Sequence, residues 1–159
     1  MHNAHFIIVA GQESDDARFN VESELEEWGN ENNWFDIRRI IDLSNDNDNP
    51  SDVEYLQVVV DELNKVASID RKQYIIDQIN TLQTQLDCGG RHIYWQLSEW
   101  YKELYYITGV TNPYTVENLR DNTCDEYYPY TYDEFGLTSY AQELDEGEKL
   151  FLVEVDMHS

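Results

Sequence analysis

Positive charge is what this 159-residue chain has least of: 10 Lys plus Arg stand against 33 Asp plus Glu, for a formal net charge of −23. A general nucleic-acid binder neutralises phosphates with clustered Lys and Arg, and attachment to an anionic membrane surface needs the same clusters. The balance of charge excludes both as general modes. Cysteine is also scarce, and Cys88 and Cys124 are too far apart in sequence to suggest a disulfide framework or a metal-ligand pair. No apolar run approaches the roughly 18 residues of a membrane span. The start lacks the basic-then-apolar layout of a signal peptide, so a soluble protein of the cytoplasm, that of a host cell, is expected.

What is present suffices for a folded core. Leu 13, Ile 11, Val 11 and Phe 5 make up about a quarter of the residues, above the roughly 20% floor below which a highly charged chain stays disordered. The length fits one domain of roughly 100 to 200 residues. A globule of this size has a diameter of roughly 39 Å, and a DNA duplex of that length carries about 23 phosphate charges at one per ~1.7 Å. The chain therefore matches DNA in charge per length. Acidity of this kind also suits a protein living in brine, but 5 Ala against 13 Asn fits an AT-rich coding sequence better.

Hydrophobic periodicity gives the elements. His5 to Gly11 is a short apolar run ending in glycine and reads as a buried strand. From Ser14, Val21, Leu25 and Trp28 recur at helical spacing until Gly29 and Asn30. Residues 34–43 alternate, with Phe35, Ile37, Ile41 and Leu43 expected on one strand face. After the polar loop Ser44-Asn-Asp-Asn-Asp-Asn-Pro-Ser51, a capping box of Ser51 and Glu54 is expected to open a helix carrying Val53, Leu56, Val60, Leu63 and Ala67 on its core face. A third helix starts at Asp70 with Ile75, Ile79, Leu82 and Leu86, closed by Gly89 and Gly90. A fourth runs from about His92 to Thr108, and Thr115 caps a short one. Residues 137–144 and 149–156 read as a hairpin around Asp145-Glu-Gly-Glu148. The expected fold is one α+β domain over 1–159: a small antiparallel or mixed sheet, first and last strands adjacent, packed by about four helices.

Charge is uneven along the chain, at −9 for residues 1–50, −4 for 51–110 and −10 for 111–159. If both ends contribute to the sheet, their carboxylates converge on one side of the molecule.

Conventional catalytic patterns are weak. The acids Asp46, Asp48, Asp52 and Glu54 invite a calcium reading. The EF-hand pattern fails, with Ser51 at the glycine position and Gln57 at the final glutamate. His2, His5, His92 and His158 show no H-E-x-x-H spacing; antiparallel end strands would bring His5 near His158 and Asp156, the one opening for a small His-dependent enzyme. Paired acids (Asp15-Asp16, Glu26-Glu27, Asp145-Glu146) could form a metal-dependent nuclease centre. Such an enzyme must attract a polyanion, however, which a charge of −23 repels. There is no Gly-rich phosphate loop or nucleophile elbow. No catalytic residue, metal or cofactor is expected.

One segment suits an interface: Tyr127, Tyr128, Tyr130 and Tyr132 flanked by Asp125, Glu126, Asp133 and Glu134 combine rigid aromatic area with acceptors for Arg and Lys. Asp145, Glu146 and Glu148 extend the expected partner-binding set. The competing reading has these tyrosines folding back on the core, since tyrosine is intermediate in burial.

The segment Val21-Glu-Ser-Glu-Leu-Glu-Glu-Trp-Gly-Asn-Glu-Asn-Asn-Trp-Phe-Asp36 and the ending Leu152-Val-Glu-Val-Asp-Met-His158 resemble pieces of small uncharacterised bacteriophage proteins, which share a strand-helix-Trp-Phe-Asp opening and a closing Val-Asp-x-His strand. Those proteins often continue with Gly-Gly-Arg-Trp, where this chain has Ile37-Arg-Arg-Ile-Ile. The resemblance covers about a third of the chain and implies phage or mobile-element origin without an activity. In charge and size the chain is similar to phage DNA-mimic inhibitors of the anti-restriction and anti-CRISPR type. The resulting expectation is a non-enzymatic inhibitor that evades host defence by occupying the basic groove of a CRISPR effector or restriction nuclease. The alternative is an inhibitor or adaptor acting allosterically through the helical middle.

Overall fold

A computed structural model of the chain describes residues 2–26, 34–47, 49–66, 69–86, 113–127, 136–141 and 143–158. The elements in chain order are β1 (His2–Gly11), α1 (Ser14–Leu25), β2 (Trp34–Asp42), α2 (Pro50–Val66), α3 (Ile69–Leu86), α4 (Val116–Arg120), β3 (Gly136–Ser139) and β4 (Lys149–His158). The class is α+β. The expected helix from His92 to Thr108 lies outside the described residues, as do Trp28, Gly29, Gly89 and Gly90.

The four strands form one mixed sheet in the order β2-β4-β1-β3. β4 runs antiparallel to β1 from His2↔His158 to Gly11↔Lys149 and antiparallel to β2 on its other side. β1 and β2 are therefore parallel to each other, joined by α1 with β4 inserted between them, which is a split βαβ arrangement. Every described strand comes from one or other end of the sequence, and the described part of the middle supplies α2 and α3.

Alternation along β1 and β4 sends side chains to two cores. Phe6, Ile8 and Leu152 face Leu56, Val59, Val60 and Leu63 of α2 together with Tyr114, Leu119, Tyr127 and Leu137. Ile7, Val9, Phe151, Val153 and Val155 face Ala17, Val21 and Leu25 of α1. Each fully buried Leu, Ile or Phe contributes about 1.5–3 kcal/mol through removal from water, and the sheet is sealed on both faces.

Three expectations are corrected. Residues 137–144 and 149–156 are not a hairpin. β3 is four residues long and pairs parallel with β1, from His5↔Gly136 to Ile8↔Ser139, whereas both edges of β4 are occupied by the longer β1 and β2. Secondly, Phe35 and Ile37 do not share a face with Ile41 and Leu43. The register shifts between Ile37↔Val155 and Arg39↔Glu154, so Arg38 is an extra residue, a β-bulge that inverts the alternation. Phe35 and Ile37 therefore pack on the α1 side and Ile41 and Leu43 on the α2 side. Thirdly, α2 starts at Pro50, one residue before the expected Ser51 cap. Asn49 is the cap: its Oδ1 accepts from the Ser51 N–H at 3.1 Å, with Pro50 at the first helical position, where a missing N–H costs nothing. Val53, expected in the core, is 40% exposed. By contrast Thr115 caps α4 as expected, its hydroxyl accepting from Asn118 N at 3.1 Å and its N–H donating to Asn118 Oδ1 at 2.9 Å.

Candidate acidic interface

The register brings three loops to one end of the sheet. Gly11 pairs with Lys149 and Asp42 with Phe151, so the β1–α1 turn, the β2–α2 loop and the turn before β4 lie side by side. They carry Glu13, Asp15 and Asp16; Asp42 and Asp46; and Asp145, Glu146 and Glu148. All are exposed except the half-buried Asp42 and Glu148. Lys149 is the one base in these turns and it donates to Asp42 Oδ2 at 3.1 Å.

Local chemistry holds these turns in shape. The Asp16 carboxylate accepts from the N–H groups of Gln12 and Glu13, both at 3.2 Å, which ties the first turn of α1 to the end of β1. A Cβ on Gly11 would sit 3.0 Å from Ala17 N, so glycine lets α1 start this close to the strand. In the turn before β4, Glu148 N donates to Asp145 O at 3.0 Å and the Glu148 carboxylate accepts from Asp145 N at 2.8 Å. Gly147 supplies the left-handed step at φ 87°. Burial raises the Asp42 carboxyl, but hydrogen bonds from Ser44 and Lys149 outweigh it and hold the group below the usual carboxylate range. The turns that carry these acids are thus braced by their own hydrogen bonds.

Most of the described bases are engaged by carboxylates of the fold itself. Arg38 bonds Asp156 at 2.5 Å and lies 3.9 Å from Asp36. Its hydrogen bond and charge pairing with Asp156 raise an already high guanidinium pKa. Arg39 pairs with Asp52 at 3.0 Å and stacks over the Tyr55 ring, 4.1 Å from its centroid. The Tyr55 hydroxyl donates to Glu154, and burial first, then Glu154, keeps that phenol protonated well above its ordinary range. Lys65 lies 3.4 Å from Glu62. The Arg39–Tyr55–Glu154 group fastens α2 to the sheet just past the bulge.

The expected interface residues divide. Tyr127 is not a contact residue: it is 2% exposed, and its N–H and C=O exchange hydrogen bonds with Leu137 at 2.9 and 2.8 Å. At this position the core-packing alternative holds. Glu126 is exposed, and its Oε1 accepts from Ser139 N at 3.3 Å; Asp125 is half-buried. Tyr128, Tyr130, Tyr132, Asp133 and Glu134 lie outside the described residues. Because Ser139 pairs with Ile8 in mid-strand, Asp125 and Glu126 lie along the β3 edge. Asp145, Glu146 and Glu148 lie at the sheet end, so the structure does not bring the two groups together. Sequence reading missed Tyr140, 40% exposed, whose phenol is raised by burial and by the nearby Glu24 and Glu126 carboxylates. It also missed Phe19, 69% exposed on α1. Neither stands in an aromatic cluster, and an isolated aromatic gives no signal in sequence of whether it faces core or solvent.

The other chemistry considered does not assemble. His5 Nε2 lies 2.9 Å from Thr138 Oγ1, and burial pushes its pKa down to about 4. Its register partner is Val155, while His158 pairs with His2, the first residue of β1. Asp156, opposite Ala4, takes the other sheet face and is bound by Arg38, so His5 and Asp156 do not form a site. Of the acids in the calcium reading, Asp52 is engaged by Arg39, Glu54 is exposed on α2, and Asp48 lies outside the described residues. Burial pushes the Cys124 thiol up to about 11, which leaves it protonated and unreactive. Among the described residues, no three His, Cys, Asp or Glu side chains are grouped to hold a metal ion. No described helix is long and apolar enough to cross a membrane. No family model, curated protein or solved structure matches the chain.

Proposed function

We propose that this chain is a non-enzymatic inhibitor of phage or mobile-element origin that blocks a host defence nuclease, of the restriction or CRISPR type, by presenting carboxylates to its basic nucleic-acid groove. The observation that carries this reading is the convergence of Glu13, Asp15, Asp16, Asp42, Asp46, Asp145, Glu146 and Glu148 on one end of the sheet. Carboxylates accept bidentate hydrogen bonds from guanidinium groups much as phosphates do. Facing carboxylates from separate turns can follow the two phosphate rows that such a groove is built to hold, and the field of −23 steers the encounter.

The test expresses the chain in a set of bacterial strains, each carrying one restriction or CRISPR system, and measures phage plaquing and plasmid transformation. Efficiency rises sharply in at least one strain. Reversal of Asp15, Asp46, Asp145 and Glu146 to Lys abolishes the rise without changing the unfolding transition; Asp16 is spared because it braces α1. Protection in no strain sinks the proposal. A second reading, binding through the helical middle, is favoured by Val53 and Val58, 40% and 51% exposed on α2. It takes over if reversing Glu54 and Asp61 on α2 abolishes protection while the sheet-end variant keeps it.

A further inference from the structure

The outer crest of α1 carries an unusual combination of side chains. Ala17, Val21 and Leu25 are its buried row, and Phe19 sits nearly opposite, 69% exposed. At helical spacing its neighbours are Asp15 and Asp16 one turn before and Glu22 and Ser23 one turn after, all exposed. An aromatic ring on this crest adds nothing to the core that Ala17, Val21 and Leu25 have closed. A second exposed aromatic, Tyr140, follows β3. Aromatic residues rimmed by polar groups are the usual composition of an interface anchor. The carboxylate rim restricts the partner: it repels acidic surfaces, nucleic acid and a second copy of this chain, and it attracts Lys and Arg.

We propose that the α1 crest is a docking surface for a basic protein surface with an apolar socket, into which Phe19 inserts while Asp15, Asp16 and Glu22 pair with the surrounding cations. This inference rests on the reading that the chain acts by binding a basic protein. It adds what charge mimicry lacks, a contact that favours a protein groove over any other polycation.

Two synthetic peptides of equal length and charge serve as probes, one of Lys and Ser only, the other with Leu replacing Ser along one helical face. Wild-type protein binds the Leu-bearing peptide about ten- to a hundredfold more tightly, the range expected for burying one phenyl ring. Phe19→Ser removes this preference, leaves binding of the Lys/Ser peptide unchanged, and unfolds at the same temperature as the parent. Equal binding of both peptides by the wild type, or a preference that survives Phe19→Ser, overturns the inference. Failure of the inhibitor reading shows separately, as discrimination between the peptides together with protection in no strain.

Discussion

His5 is a described residue whose environment changes its chemistry within the ordinary range of pH. Burial against Thr138 favours the neutral imidazole, with a pKa of about 4 in the fold against 6.5 in the open chain. Above pH 6.5 both states are neutral and the full contribution to stability is present. As pH falls from 6.5 towards 4 the unfolded chain takes up a proton that the folded chain refuses, so stability is lost in that window. Between pH 7 and pH 5 the loss from this one group is about 2 kcal/mol at 1.36 kcal/mol per unit. Urea unfolding of His5→Gln at the two pH values shows a change smaller than that of the parent by about this amount. Equal changes would mean that His5 is solvated.

At the scale of elements, the bulge in β2 is the feature on which packing most depends. Arg38 is the inserted residue, and its backbone, rather than its guanidinium, directs Phe35 and Ile37 to α1 and Ile41 and Leu43 to α2. Deleting Arg38 restores straight alternation and forces one of these pairs out of its core, because a one-residue slip moves every later side chain to the other face. The deletion variant loses its cooperative unfolding transition in circular dichroism, whereas Arg38→Ala keeps it. A folded deletion variant would show that β2 tolerates either face. The same strand explains the placement of Arg39, which the bulge turns towards Asp52, Tyr55 and Glu154 on the α2 side.

For the whole molecule, charge acts on stability and on binding with opposite signs. A charge of −23 repels itself within the folded globule, and raising ionic strength from 0.1 to 1 M shortens the Debye length from about 10 Å to about 3 Å. The melting temperature of the isolated protein rises over that range, while affinity for a basic partner of the kind proposed falls steeply. Calorimetry and a binding titration at matched salt concentrations check the pair. Affinity unchanged by salt would place the binding energy on the apolar outer face of α2 instead. Isolated protein retards neither DNA nor RNA in a gel at any of these concentrations.

Acidity, the helical spacing of α1 and α2, and the Thr115 cap were legible from residues alone, because each depends on neighbours within a turn of chain. β1 was legible as an apolar run and β4 as a strand carrying Phe151, Val153 and Val155, which share a face. Strand alternation misled in β2, because the bulge is decided by what β4 offers opposite Arg38 and by the two cores on either side. Tyr127 and Tyr140 are the same residue type in similar acidic surroundings, yet one is core and the other surface. The difference comes from Leu137, which holds Tyr127 by both backbone bonds. The acidic end of the sheet likewise joins residues 13–16, 42–46 and 145–148, separated by up to about 130 positions in the chain. Composition determined that the molecule is strongly negative. Only the sheet order, which depends on contacts between the two ends of the chain, decided where that charge gathers.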